Sequence, residues 1–424
     1  MHGSAHVPIG TVEDTSRVMR PRRRANAGAL AILAALSVLG APLSAQAFTA
    51  HLADDAPGGT LRDSMRAVLE RGLADKAYPG AVAMVGDKYK VIATVAVGHQ
   101  DWAPSPKIDA YTMWDLASLT KVIGTTTALM QLWAQHRVDL DAPVERYLPQ
   151  FVGEHKELVT VRELLTHSSG LPAWRPLYKE ATSPADALRL LYTTPLDTLP
   201  GVRMVYSDLG AMLLGKIVER VSGEPLDVYL RRHVFAPLGM TSTMFRPPTR
   251  DLPRIAPTER DPWRGRLVHG EVHDENAYFL GGVSGHAGLF SSAADLSRFA
   301  RMYLHRGELD GARIVTPAAI DTFTRVQDRA LSNRALGWEV PNGTNSAGHD
   351  LSDRAFGHTG FTGTSIWIDP ARDLFVILLT NRVDPTRDNP RLGPVRVQLA
   401  DAVASVIDAQ AAAARPAAGT GASP

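Results

Sequence analysis

A serine stands three residues before a lysine in the stretch Trp114-Asp115-Leu116-Ala117-Ser118-Leu119-Thr120-Lys121. It heads a run in which Leu119, Val122, Ile123, Thr126, Leu129, Met130 and Trp133 recur at helical spacing, so Ser118 falls at or just inside a helix N-terminus. A residue at i+3 shares that helix face, and the Lys121 amine then comes within hydrogen-bond reach of the Ser118 hydroxyl. The unpaired N–H groups of a first helical turn carry positive partial charge and suit a developing oxyanion. The arrangement fits a serine nucleophile. Taken alone, the same residues also describe an ordinary capped, solvated helix, so partners elsewhere must decide.

Two further stretches carry fitting chemistry. In Val205-Tyr206-Ser207-Asp208-Leu209-Gly210 a tyrosine and an acid stand two apart just before a helical run. Tyrosine is a poor base at its usual pKa of ~10, but a nearby lysine cation lowers it, and a phenolate can take a serine proton. In Gly357-His358-Thr359-Gly360-Phe361-Thr362-Gly363 the glycines permit close backbone approach beside a strand over 364–368. A backbone N–H there could complete an oxyanion hole.

In order along the chain, Ser118-Leu119-Thr120-Lys121, Tyr206-Ser207-Asp208 and His358-Thr359-Gly360 resemble the three motifs of the penicillin-recognising serine hydrolases. The resemblance is to the class C β-lactamase-related group, which includes D,D-peptidases and esterases, and it covers about residues 60–410. Two more stretches resemble that group, Leu164-Leu165-Thr166-His167-Ser168-Ser169-Gly170-Leu171-Pro172 and Gly288-Leu289-Phe290-Ser291-Ser292-Ala293-Ala294-Asp295-Leu296. The resemblance implies that Ser118 becomes acylated, that Lys121 and Tyr206 shuttle its proton, and that the backbone N–H groups of Ser118 and Phe361 form the oxyanion hole. Thr359 and Gly360 are implied to line the substrate edge. No cofactor is implied.

Two residues depart from the group. Asp208 stands where asparagine is frequent, and a carboxylate accepts but does not donate. It can hold Lys121 charged, cap the helix before Leu209, or do both. His358 replaces a lysine and is mostly neutral at pH 7. Affinity for a substrate carboxylate should fall, which tilts the expectation from an efficient β-lactamase toward an esterase or a cell-wall peptide hydrolase. The stretch His269-Gly270-Glu271-Val272-His273-Asp274-Glu275-Asn276-Ala277 invites a zinc reading, but its order is not H-E-x-x-H and its glycines argue for loop. A substrate-lining loop with His273 is the expectation, and the stretch loosely resembles muropeptide amidase relatives.

The elements that must hold these residues read as α/β in the broad sense, an antiparallel sheet with helices (α+β). Residues 60–77 form an amphipathic helix capped by Thr60. Strands 81–85 and 91–97 make one hairpin, and 364–368 with 374–380 make another. A two-stranded sheet alone is marginal in water, so the two hairpins should join in one sheet under the first helix and a closing helix at 395–407. Helices are expected at 161–166, 184–193, 209–221, 226–235 and 292–305, and 246–267 reads as loop. An α/β lobe (about 60–115 and 285–410) and a helical lobe (about 116–284) would then hold the site between them.

The 45 basic and 44 acidic residues nearly cancel, so there is no footprint for nucleic acid or an anionic membrane. Arg20, Arg22, Arg23 and Arg24 precede the apolar run 29–39 and Ala45-Gln46-Ala47, as in a secretory signal cleaved near Ala47 and a periplasmic destination. Its apolar core is shorter than the ~20 residues of a membrane span. With no cysteine, an exported chain relies on core burial rather than disulfides. Residues 411–424 read as a disordered tail. The expected substrate is a small ester or amide or a peptidoglycan fragment; a β-lactamase, a D,D-carboxypeptidase and a non-catalytic sensor are the alternatives. A G-x-S-x-G elbow is absent, against an α/β-hydrolase.

Overall fold

The computed structural model describes residues 58–413. The expected signal segment and most of the expected tail lie outside these residues. Helix α1 (Gly58–Ala74) leads to strands β1 (Gly80–Gly86) and β2 (Val91–Gly98), an antiparallel hairpin as expected. Helix α1 is already running at Gly58, so Thr60 lies in its first turn rather than at its cap.

The second hairpin gains a partner that alternation alone did not reveal. Phe356–Thr359 is a strand (β3) and pairs with β4 (Ser365–Asp369), which pairs with β5 (Leu374–Thr380). The sheet order is β3-β4-β5-β1-β2, antiparallel throughout, and Ala81 faces Thr380 across the join of the two hairpins. His358 therefore sits on an edge strand, not in a glycine-rich turn.

Successive residues of a strand face opposite sides, and both faces of the central strands are buried. Ala81, Ala83, Val85, Val376 and Leu378 pack under α1 and the closing helix α4 (Leu392–Ala413), against Leu61, Met65, Leu69, Leu399 and Val403. Val82, Met84, Ile377 and Leu379 point the other way, into the larger core that includes the helical middle of the chain. Each such side chain contributes about 1.5–3 kcal/mol on full burial. The closing helix runs longer than 395–407, and residues 411–413 continue it instead of starting a tail.

A second, three-stranded sheet carries Met113–Asp115 beside Leu289–Ser292 and Met244–Phe245. Beyond it the chain turns into the residues after Ser118, where Lys121–Thr126 is wound as π-helix before α2 (Thr127–Ala134). Helix α3 (Asp208–Ser222) is capped by the Ser207 hydroxyl, which accepts from Gly210 N–H, and ends at Gly223 with φ 79°. The stretch 246–267 is not all loop: Thr249–Arg254 is a 3-10 turn, and Arg260–Asp261 pairs with Arg266–Leu267. Among the described residues no helix is long and apolar enough to cross a membrane.

Candidate active site

The turn before Ser118 is locally unfavourable and is held from outside. Ala117 has φ +44°, a backbone region that L-residues seldom occupy. The Asp115 carboxylate accepts from Ala117 N–H at 2.8 Å and, through its other oxygen, from His273 N–H at 2.6 Å. Asp115 is buried; burial pushes its pKa up, and the two N–H bonds work against that rise. One carboxylate thus fixes the nucleophile turn and ties it to a segment 158 positions away.

Ser118 is half-buried, and the six residues of the π-wound turn after it are all buried. Such turns are rare and cluster at functional sites. The Lys121 ammonium donates to Ser118 Oγ at 2.8 Å and to the His286 carbonyl at 3.2 Å, and its Nζ lies 2.7 Å from Asp208 Oδ1. The Asp208 contact is an ion pair rather than an aligned hydrogen bond. Burial pulls the Lys121 pKa down, but Asp208 and Tyr206 more than offset it, and the amine stays above its ordinary value. Of the two expectations for Asp208, the contact with Lys121 is present, whereas the cap is Ser207 and Asp208 is the first helical residue.

The Tyr206 hydroxyl is buried and makes no bond of ordinary geometry, although Lys121 and Ser118 are near enough to act on its ionisation. Lys121 Nζ lies 5.0 Å from the centre of the Tyr206 ring. Burial raises the Tyr206 pKa and outweighs the lowering by Lys121, so at rest the group is a phenol. The expected lowering by Lys121 is present, but burial outweighs it. His167 holds the tyrosine in place. Its ring stacks at 4.5 Å, its Nδ1 accepts from Ser207 N–H at 3.1 Å, and its carbonyl accepts from Val205 N–H at 2.8 Å. Burial first, then Arg334 and Lys121, keep His167 neutral.

The loop after β3 is laced to the segment before Ser118. Thr362 Oγ1 donates to the Asp115 carbonyl at 2.7 Å and Thr364 Oγ1 to the Leu116 carbonyl at 3.0 Å. A Cβ on Gly360 would stand 2.4 Å from the Leu116 carbonyl oxygen and 2.1 Å from Thr364 Oγ1, so only glycine permits this approach. Among the described residues neither the Ser118 nor the Phe361 N–H donates to a protein acceptor. Two free donors at that spot are what a developing oxyanion requires.

Ser118, Tyr206, His358, Thr359, Gly360 and Phe361 line one pocket of about 320 Å³, together with Arg334, Glu339, Arg382 and Arg396. His358 Nδ1 donates to the Thr359 carbonyl at 2.7 Å, which leaves Nε2 as a buried acceptor without a partner. Burial, then Arg334 and Lys121, hold its pKa well below the usual value. The pocket is nonetheless cationic. Arg334 pairs with Glu339 at 3.0 Å but keeps a buried Nη1 without a partner. Arg396 donates to the carbonyls of Gly360 and Thr364 and keeps its Nε unpaired, its pKa brought to about 10 by burial and by Arg382. The expectation that loss of a lysine weakens carboxylate binding therefore meets arginines that no short motif marks.

His273, expected in a substrate-lining loop, is buried behind the pocket. Its Nε2 donates to Glu259 at 2.8 Å, and its ring lies 5.8 Å from that of Phe361. Burial would raise Glu259, but His273 and Arg387 bring its pKa down to about 2. This network holds His273 against the Phe361 ring.

The family profile described as beta-lactamase matches residues 65–401. The N-acetylmuramyl-L-alanine amidase of Bacillus subtilis (strain 168) is 35% identical over 368 residues, spanning 77% of this chain and 82% of the relative. A protein of Escherichia coli (strain K12) with the provisional name D-alanyl-D-alanine carboxypeptidase is 33% identical over 314 residues, 67% of this chain and 72% of its own. Among solved structures, EstCE1, described as a hydrolase with promiscuous acyltransferase activity, aligns with a TM-score of 0.67 at 23% identity. That alignment covers 82% of this chain and 99% of EstCE1 and is a likeness of fold.

Proposed function

The chain belongs to the beta-lactamase family and is a serine hydrolase, and we propose that it is an exported enzyme that opens an amide bond of a peptidoglycan fragment through an acyl-enzyme on Ser118. The carrying observation is the buried Lys121 ammonium, 2.8 Å from Ser118 Oγ and 2.7 Å from Asp208. In this reading the reactive form has lost one proton from the Tyr206–Lys121 pair, and Ser118 Oγ attacks the carbonyl carbon while its proton passes to that pair. The oxyanion is met by the N–H groups of Ser118 and Phe361, and collapse expels the amine, which takes the proton. Water then repeats the sequence on the ester and restores Ser118.

The bond favoured is the amide between the muramyl carboxyl and L-alanine. The name of the Bacillus subtilis relative supports it, and the basic-apolar pattern of residues 20–47 supports export to where such fragments occur. A second reading, removal of a C-terminal D-alanine, is favoured by one observation: buried guanidinium donors of Arg334 and Arg396 stand without partners in the pocket wall. They could bind a free carboxylate.

Product analysis separates these. Incubation with an N-acetylmuramyl-L-alanyl peptide, a peptide ending in D-alanyl-D-alanine and nitrocefin should release free N-acetylmuramic acid from the first at the highest kcat/KM. Release of D-alanine alone would transfer the assignment to the second reading, and a nitrocefin turnover exceeding both would make the chain a β-lactamase.

A further inference from the structure

We infer that Trp174, Tyr178, Trp263 and Tyr278 form a subsite for the amino-sugar ring of the substrate, an inference that rests on the muramyl amidase reading above. Isolated exposed apolar side chains need no explanation, but a contiguous patch does. Here Trp174, Trp263 and Tyr278 are 45%, 40% and 37% exposed and stand in one chain of ring contacts through the half-buried Tyr178. The Tyr178 and Trp263 rings meet edge to face at 4.6 Å, and Trp263 meets Tyr278 likewise at 6.0 Å.

The patch is built, not incidental. The Arg264 side chain is almost fully buried, and its guanidinium lies 4.2 Å from the centre of the Tyr278 ring. It donates to the carbonyls of Val272 and His273 at 2.8 and 3.0 Å. Tyr178 N–H donates to the Asn276 side chain, which in turn donates to the Arg175 carbonyl. A buried cation and an amide therefore clamp the aromatics in place.

Position ties the patch to the reaction. Ala173, next to Trp174, accepts from Asp208 N–H at 2.9 Å, and Pro172 accepts from the Ser207 hydroxyl at 2.7 Å. At the other end, His273 lies against Phe361 of the oxyanion loop. The aromatics are thus tied to the Asp208 segment through Ala173 and to the Phe361 segment through Arg264 and His273. They stand outside the residues that line the Ser118 pocket, and in this proposal the sugar sits beyond that pocket, on the acyl side. A pyranose presents a C–H face with a rim of hydroxyl and N-acetyl groups. Such a face matches aromatic rings, whose indole N–H and phenol O–H supply polar handles at the edge. Arg264 is paired with the buried Asp261 at 3.1 Å and so adds no net charge to the patch, which suits a neutral pyranose.

The test combines kinetics with binding in the full chain. Trp263→Ala and Trp174→Ala should each lower, by about tenfold or more, the ratio of kcat/KM on an N-acetylmuramyl-L-alanyl peptide to that on p-nitrophenyl acetate. Trp263→Phe should restore most of the ratio. In a Ser118→Ala background, calorimetric affinity for N-acetylmuramic acid should fall by a similar factor on adding Trp263→Ala. If the muramyl amide is cleaved but neither tryptophan changes the ratio or the affinity, the subsite is overturned while the amidase reading stands. If the amide is not cleaved yet N-acetylmuramic acid binds and Trp263→Ala abolishes binding, the subsite stands and the scissile bond was misassigned. Neither cleavage nor binding would overturn both.

Discussion

Lys121 shares its surroundings with Ser118, Asp208 and Tyr206, and their charges decide which group takes the serine proton. Burial would favour a neutral amine, but Asp208 and Tyr206 keep Lys121 above its ordinary pKa, and burial keeps Tyr206 a phenol. Both groups are protonated at neutral pH, so the base form is a minor population. Raising the pH removes one proton from the coupled pair, and kcat/KM on a nitrophenyl ester should climb through the alkaline range. Tyr206→Phe should cost about 100-fold or more in turnover and flatten that limb. Near-normal turnover with an intact limb would take Tyr206 out of the proton path. Ser118, Lys121 and Tyr206 were legible because each sits in a short motif. The roles of Asp115 and His167, which stand in two of the quoted stretches, and the places of Arg334 and Arg396 were not, because their partners are remote: Asp115 meets His273 across 158 positions and Arg396 meets Gly360 across 36.

The loop that would supply the second oxyanion donor owes its shape to two threonines and a glycine. Thr362 and Thr364 bind the carbonyls of Asp115 and Leu116, and Gly360 allows the backbones to approach. A methyl group on Gly360 must push the loop away from Leu116 and so separate the two free N–H donors. Gly360→Ala should therefore reduce kcat on simple esters by about 100-fold, the scale of losing one oxyanion donor, and should also lower the thermal midpoint, because the added Cβ meets backbone. A kcat within a few-fold of the parent, measured beside the melting curve, would detach the loop from catalysis. The hairpins and the helices were readable from period-2 and helical spacing. Strand β3 was not, since Phe356–Thr359 is short and its glycine and histidine favour no strand by propensity; pairing with β4 imposes it. The π-wound turn at Lys121–Thr126 likewise leaves no mark in a helical apolar pattern.

One sheet separates two cores and belongs to both, which explains how distant sequence segments are held to a common geometry. Under α1 and α4 the packing is apolar, with Leu399 only 1% exposed, and it seats the helix from which Arg396 reaches the Ser118 pocket. Leu399→Ala should cost about 2–5 kcal/mol of stability, seen as a lower thermal midpoint, yet leave ester turnover at 20 °C nearly unchanged. A matching loss of turnover in the still-folded protein would mean that Leu399 packing sets the position of Arg396, on the same helix, against the Gly360 and Thr364 carbonyls. The join of two hairpins in one sheet followed from the instability of either alone. The pocket electrostatics did not follow from net charge: a nearly neutral chain places Arg334, Arg382 and Arg396 around one cavity, a local excess that only folding assembles. The proposed function turns on Ser118 as the acylated residue. Intact-mass analysis after incubation with a fluorophosphonate, with peptide mapping, should find a single adduct on Ser118 in the native chain and none in Ser118→Ala. An unlabelled native chain, or an adduct that survives in Ser118→Ala, would remove the acyl-enzyme from this protein.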